Sequence, residues 1–289
     1  LKGSGSVSPG ASPGILTTDS IDPAEGLKFD FEFTATSSPN FSNASSSIND
    51  LIRITHATPF TSNLDTNNTI RIYLSTAPAL IGESYTGGFF TDSPDDFIGA
   101  VSDARIELYV ADGSGPISFN GQSYSSYTGP YRFALSTEAQ AADFGHGSVA
   151  GRISKFTVEY DPTDYAGWKL FHGLSGNAAL NTADDDADGL PLLLEFALGG
   201  NPGLQNTHLV PLQSMTDESG STYLEIHLTR PVDLQGLSYT PQTTTDPGAW
   251  PTDSSGIVDA SPSPVDNGDE TETITYRRAQ AVEDSDRAF

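Results

Sequence analysis

A chain of 289 residues can fold as two domains, each long enough to bury its own core. Thirteen Lys and Arg stand against 38 Asp and Glu, a net charge of −25 that makes nucleic acid and anionic membranes unfavourable partners. The lack of cysteine excludes disulfides and thiolate metal sites, and no apolar run approaches the roughly 18 residues of a membrane-spanning helix. The chain starts at Leu1 without a leader and stops at Asp286-Arg287-Ala288-Phe289 in mid-pattern, as a processed product or a fragment would.

The first residues form a Gly/Ser/Pro tract, a composition that usually makes a flexible linker. From residue 27 to 160 short strands are predicted. Leu27-Lys28-Phe29-Asp30-Phe31-Glu32-Phe33 alternates apolar and charged side chains with period two, the pattern of a half-buried strand. Similar runs occupy 51–55, 69–74, 104–110, 131–135 and 153–160, with Gly, Ser, Asn, Asp and Pro between them. Gly3, Gly5, Val7, Pro9, Gly10, Ser12, Pro13, Gly14 and Leu16 make one copy of a pattern that resembles the repeat of autotransporter-associated β-strand proteins, bacterial surface proteins of the passenger type. Gly87-Gly88-Phe89-Phe90-Thr91-Asp92, Tyr109-Val110-Ala111-Asp112-Gly113 and Asn120-Gly121-Gln122-Ser123-Tyr124 extend the resemblance. It implies that residues 1–160 are the end of a parallel β-helix, whose rungs cannot bury their own faces and must stack. An antiparallel sandwich fits the alternation nearly as well, and periodicity alone does not choose.

A second region, 161–203, opens with Asp161-Pro162-Thr163-Asp164. Asp164 is a predicted N-cap for a helix from Tyr165 to Gly173, with Trp168 expected to pack on Leu193, Phe196 and Ala197 of a later helix. Between them, Asp184-Asp185-Asp186-Ala187-Asp188-Gly189-Leu190-Pro191-Leu192-Leu193-Leu194-Glu195 fits D-x-D-x-D-G-x5-E at every fixed position. Carboxylates so close repel unless a hard cation joins them, and the spacing is that of a calcium loop. Asp184, Asp186 and Asp188 are the first predicted ligands, Gly189 takes the sharp turn, Leu190 offers its backbone carbonyl, and Glu195 closes the sphere around Ca2+ with both oxygens. Leu192 cannot coordinate and leaves its place to water, and Pro191 has no N–H to share with a partner loop. No second loop of this kind exists in the sequence, so a lone structural site is expected, not a paired sensor. The following apolar run stops at the Gly199-Gly200-Asn201-Pro202 signal. With Tyr165-Ala166-Gly167-Trp168, this stretch resembles the aspartate-rich module near the C-terminus of many exported bacterial proteins, and its loop resembles those of dockerin and thrombospondin type 3 repeats. The resemblance implies an EF-hand-like helix–calcium loop–helix module.

Residues 204–289 carry strand patterns at 222–229, 237–240 and 272–277, expected to form a small β-sandwich that lacks its last strand. Thr243–Trp250 resembles the strand-and-turn ending in Trp of terminal β-domains in the same exported proteins.

Recognised catalytic patterns are missing. His56, His146, His172, His208 and His227 show no metal-pair spacing, and no G-x-S-x-G, P-loop or Rossmann glycine pattern occurs. His172, within the first helix, is expected to pack, and adjacent acids such as Asp95-Asp96 are what so acidic a composition gives by chance. Asn40-Phe41-Ser42, Asn43-Ala44-Ser45 and Asn67-Asn68-Thr69 fit the glycosylation sequon and mark surface loops. The expectation is a mainly β, calcium-stapled, non-catalytic structural or adhesive region of a bacterial secreted or cell-surface protein. Two alternatives stand: a self-assembling extracellular filament subunit joined through sheet edges, and a glycan-binding region of a secreted carbohydrate-active enzyme. The second would be favoured by Tyr124, Tyr127 and Tyr131 lining one groove.

Overall fold

The computed structural model describes residues 1–10, 13–23, 26–37, 39–41, 49–244, 248, 256–259, 263–268 and 270–282. The protein is mainly β and divides into two compact units, Leu1–Tyr160 and Asp161–Phe289.

In the first unit the chain alternates between two sheets. Strands β1 (Ser6–Val7), β3 (Lys28–Phe33), β5 (Thr69–Leu74) and β7 (Arg105–Ala111) pair in parallel in one sheet, while β2 (Ile15–Thr18), β4 (Leu51–Ile54) and β6 (Ser84–Thr91) pair in parallel in the other. A short helix, α1 (Ile98–Val101), lies between β6 and β7. The registers stack like on like: Phe29, Phe31 and Phe33 align with Ile70, Ile72 and Leu74, and these with Ile106, Leu108 and Val110. From the other sheet Leu16, Ile52 and Phe89 share one register, and all of these except Val110 belong to one core cluster. Polar partners stack on the outer face, where Asp30 and Arg71 are register neighbours and ion-paired at 2.6 Å.

After β7 the pairing turns antiparallel. The hairpin of β8 (Ile117–Phe119) and β9 (Gln122–Ser126) ends the first sheet, and that of β10 (Tyr131–Asp143) and β11 (Ser148–Tyr160) ends the second. The longer hairpin extends past the predicted runs 131–135 and 153–160, and its Ala142 and Ile153 form with Leu51 and Phe90 a second cluster outside the main core. Gly151 makes this approach possible. A Cβ there would sit 2.2 Å from the Thr91 carbonyl oxygen and 2.4 Å from the Phe90 ring. Gly151→Ala should therefore cost about 1–3 kcal/mol in urea unfolding. A variant as stable as the parent would mean that β11 does not lie this close to β6.

The corners between sheets are held by buried side chains. Asn49, fully buried, donates through Nδ2 to the carbonyls of Ala35 (2.8 Å), Ser37 and Thr86 (both 3.0 Å), and its Oδ1 accepts from the Thr34 amide at 2.9 Å. Asn68 donates to the Pro23 carbonyl at 3.0 Å. Both satisfy backbone groups that the turning chain would otherwise bury without partners.

The second unit holds helices α2 (Tyr165–Phe171) and α3 (Leu192–Leu198), then an antiparallel sheet in the order β12 (Leu212–Glu218), β13 (Ser221–Pro231), β16 (Thr271–Arg278) and β14 (Ile257–Asp259). A short β15 (Val265–Asp266) also pairs with β16. Among the described residues this is one sheet. Where a sandwich would have a second, α3 and the extended chain 237–241 face Ile226, Leu228 and Tyr276 across a cavity of about 610 Å³. Residues 237–240, predicted as a strand, have no ladder partner. Leu237 instead packs beside the Trp168 cluster, and the Tyr239 hydroxyl donates to the Ala197 carbonyl at 2.6 Å. Within 243–250, the residues 245–247 and 249–250 lie outside those described, as do 283–289 and Asn43 of the second sequon.

Candidate metal centre

The acidic loop sits between two short helices that share an apolar cluster. Asp164 caps α2, its carboxylate accepting from the Gly167 amide at 2.9 Å, and Trp168 then packs against Leu192 and Phe196 of α3. The Trp168 and Phe196 ring centroids lie 5.4 Å apart, with Tyr165 5.0 Å from Phe196. Only Phe196 of the three predicted partners is in this cluster. Leu193 and Ala197 line the cavity facing the sheet, because the helical period turns them away from Leu192 and Phe196. His172 stacks edge-on against Trp168 at 4.8 Å, and burial pushes its pKa down.

The base of the loop is pinched where the Leu192 amide donates to the Ala183 carbonyl at 2.8 Å. Between those points Ala187 and Gly189 take positive φ, 60° and 91°, so the chain folds over its own carboxylates. The Asp184 oxygens accept from the Asp188 and Gly189 amides, both at 3.1 Å. One Asp186 oxygen also accepts from the Asp188 amide, at 3.2 Å, and Asp188 Oδ1 accepts from Leu190 at 2.7 Å. These backbone donors aim the side chains inward, and one oxygen from each of Asp184, Asp186 and Asp188 falls within 4.8 Å of the others. The second Asp186 oxygen is buried with no hydrogen-bond partner.

Glu195 lies outside that close group but faces it. It is 1 % exposed, with no salt bridge to a Lys, Arg or His among the described residues. Burial first, and then the charges of Asp186, Asp188 and Asp184, push its pKa up to about 7. Leu190 is buried at the end of the loop. After Glu195, α3 stops at left-handed Gly199, and the Gly200 amide returns to the Glu195 carbonyl at 2.7 Å.

One residue of the site is not in the predicted set. Asn206, 8 % exposed, donates from its backbone amide to Asp188 Oδ2 and from Nδ2 to Glu195 Oε1 at 3.4 Å. The same Nδ2 donates to the Asn201 carbonyl at 2.8 Å and to that of Leu204. Among the described residues, these hydrogen bonds of the loop all lie within the second unit. No spacing rule reaches Asn206; the only sequence signal is its place after the Gly200-Asn201-Pro202-Gly203 turn.

The three converging aspartates are oxygen donors of the kind a hard divalent cation takes, and the second Asp186 oxygen, buried without a hydrogen-bond partner, is a lone pair available to one. Two of the three tyrosines whose common groove would favour sugar binding are engaged with other rings. Tyr124 is 1 % exposed, buried edge-on against Tyr73, and Tyr131 stacks on Tyr160. Among the described residues no helix is long and apolar enough to cross a membrane. Compared with known protein families, curated proteins and solved structures, the chain matches none.

Proposed function

We propose that this chain is a calcium-stabilised structural or adhesive region of a bacterial secreted or cell-surface protein, without catalysis of its own. Its first unit is the closing end of a β-solenoid. The alternation of parallel strands between two sheets, like residues stacked in register, supports that part, and the two antiparallel hairpins serve as its cap. The second unit carries the cation, held by Asp184, Asp186 and Asp188, with Leu190 and Glu195 completing the shell. The observation that carries the reading is the convergence of three aspartate oxygens within 4.8 Å beside a buried glutamate that lacks a cationic partner. Four carboxylates in one place are costly alone and become favourable around a divalent ion. The ion would hold α3 to the loop and to the turn leading into the sheet.

Calcium at about 10 mM, against a dissociation constant of about 0.1–1 mM as in extracellular modules, should stabilise the second unit by about 1–3 kcal/mol. That corresponds to about 4–10 °C in melting temperature. Asp184→Ala and Glu195→Ala should abolish the shift. Melts that coincide in calcium and in EDTA would remove the cation from this account. Self-association is the second reading, favoured by edge strand β12, which leaves Leu212 71 % and Met215 53 % exposed. Sedimentation across a concentration range tests it, a constant monomer mass counting against it.

A further inference from the structure

A cavity of about 610 Å³ opens in the second unit between α3, the sheet and the extended run 237–241. Leu193, Leu194 and Ala197 wall it from the helix, and Ile226, Leu228 and Tyr276 from the sheet. Among the described residues no charged side chain lines it, and Leu194 is 41 % exposed. The third wall has the period of a strand: Leu237, Tyr239 and Pro241 are half-buried, while Ser238 and Thr240 are exposed. Among the described residues, the main-chain groups of Ser238, Tyr239 and Thr240 make no hydrogen bond. An apolar groove thus runs beside backbone N–H and C=O groups that belong to no ladder.

We infer that this groove takes an extended peptide segment of a partner protein, which pairs with 237–240 as an added strand and sets uncharged apolar side chains into the cavity. The two features are matched by two parts of one ligand. Another strand's backbone satisfies the unpaired main-chain groups, and the side chains on one face of that strand fill the apolar space. A strand as long as 237–241 presents two or three side chains to one face. Since about 150 Å³ holds a benzene ring, a space of about 610 Å³ has room for that many. A small apolar molecule would fill the space but leave the backbone unpaired. The chain's net charge of −25 favours a segment with basic flanks. The inference is independent of the cation, because no acidic residue of the loop lines the groove.

The test is fluorescence anisotropy of the whole chain with a set of short fluorescein-labelled peptides, in which Val, Leu or Phe alternates with Thr between terminal lysines. The tightest peptide is then remade with its amides N-methylated at every second residue, in the two possible sets. A strand pairs through one edge, where the N–H groups of alternate residues point. One methylated set should therefore bind about 10-fold or more weakly, while the other binds as the parent does. Leu194→Glu places a charge in the groove at a position exposed enough to spare folding, and it should weaken the parent peptide about 10-fold or more. Equal effects of the two methylated sets, or a Leu194→Glu protein that binds as the wild type does, overturn the added strand. So does a wild-type protein that retains no peptide of the set. Nile red bound by that protein, and lost in Leu194→Glu, would identify a small apolar molecule as the occupant instead.

Discussion

Phe89→Ala should destabilise the first unit by about 3–5 kcal/mol, among the largest losses for a single core side chain. Phe89 is fully buried in β6, and its ring meets three others edge-on: Phe29 at 5.0 Å, Phe31 at 5.3 Å and Phe60 at 5.7 Å. Phe29 and Phe31 belong to β3 in the opposite sheet, so this ring is one of the contacts that close one sheet onto the other, beside Phe33 against Tyr85 and Phe156. Deleting it removes buried apolar area and leaves a cavity walled by three aromatic rings, which cannot collapse without moving two ladders at once. Edge-to-face pairs add about 0.5–1.5 kcal/mol each beyond area. Urea unfolding followed by far-UV circular dichroism measures the change. A loss below about 1 kcal/mol would mean that the two sheets are not joined through this ring, since such losses are typical of surface sites.

The parts of this fold legible in the sequence are those with one apolar and one polar face. In β3, Phe29, Phe31 and Phe33 point into the core while Asp30 and Glu32 alternate with them, and that period is visible to the eye. In β6 both faces are covered: Phe89 enters the main core and Phe90 packs outward under Phe144, 5.3 Å away, so alternation vanishes. Strand β2 is four residues in a Gly/Pro tract and exists because Ile15–Thr18 align with Leu51–Ile54 of a later turn of chain. Polar β12 likewise owes its form to the β13 ladder. Residues 237–240 err the other way, their apolar pattern arising from contact with α3 and the Trp168 cluster. The acidic loop was legible because all its oxygens come from one contiguous run. Asn206 was not, since it reaches Asp188 across 18 residues and Glu195 across 11, through a turn with no fixed spacing.

Raising the pH from about 4 to about 7 should weaken the first unit through one residue, Asp50. It is fully buried, and no Lys, Arg or His pairs with it among the described residues. Its oxygens accept from the amides of Gly14 at 2.7 Å and Glu32 at 2.8 Å, tying the start of β2 to β3. Burial pushes its pKa up, the two amide donors pull it down, and the charges of Glu32 and Asp30 push it up again; burial dominates and the pKa reaches about 7. Between an unfolded value near 3.8 and this folded value, the native chain holds a proton that the unfolded chain has released. Stability from this group is therefore greatest below about 4, falls as pH rises, and levels off above about 7, a span of about 4 kcal/mol. Asp50→Asn separates the charge from the hydrogen bonds. Its amide carbonyl still accepts from one backbone donor, but its NH2 faces the other, at a cost of about 1–3 kcal/mol at every pH. What should disappear is the slope: across pH 5–7 the variant should lose about one proton's worth of pH dependence relative to the parent. Calcium-free urea titrations of both proteins at the same pH values isolate the difference, because Glu195 contributes equally to each. Parallel curves would show that Asp50 stays ionised throughout, the two amide donors outweighing its burial.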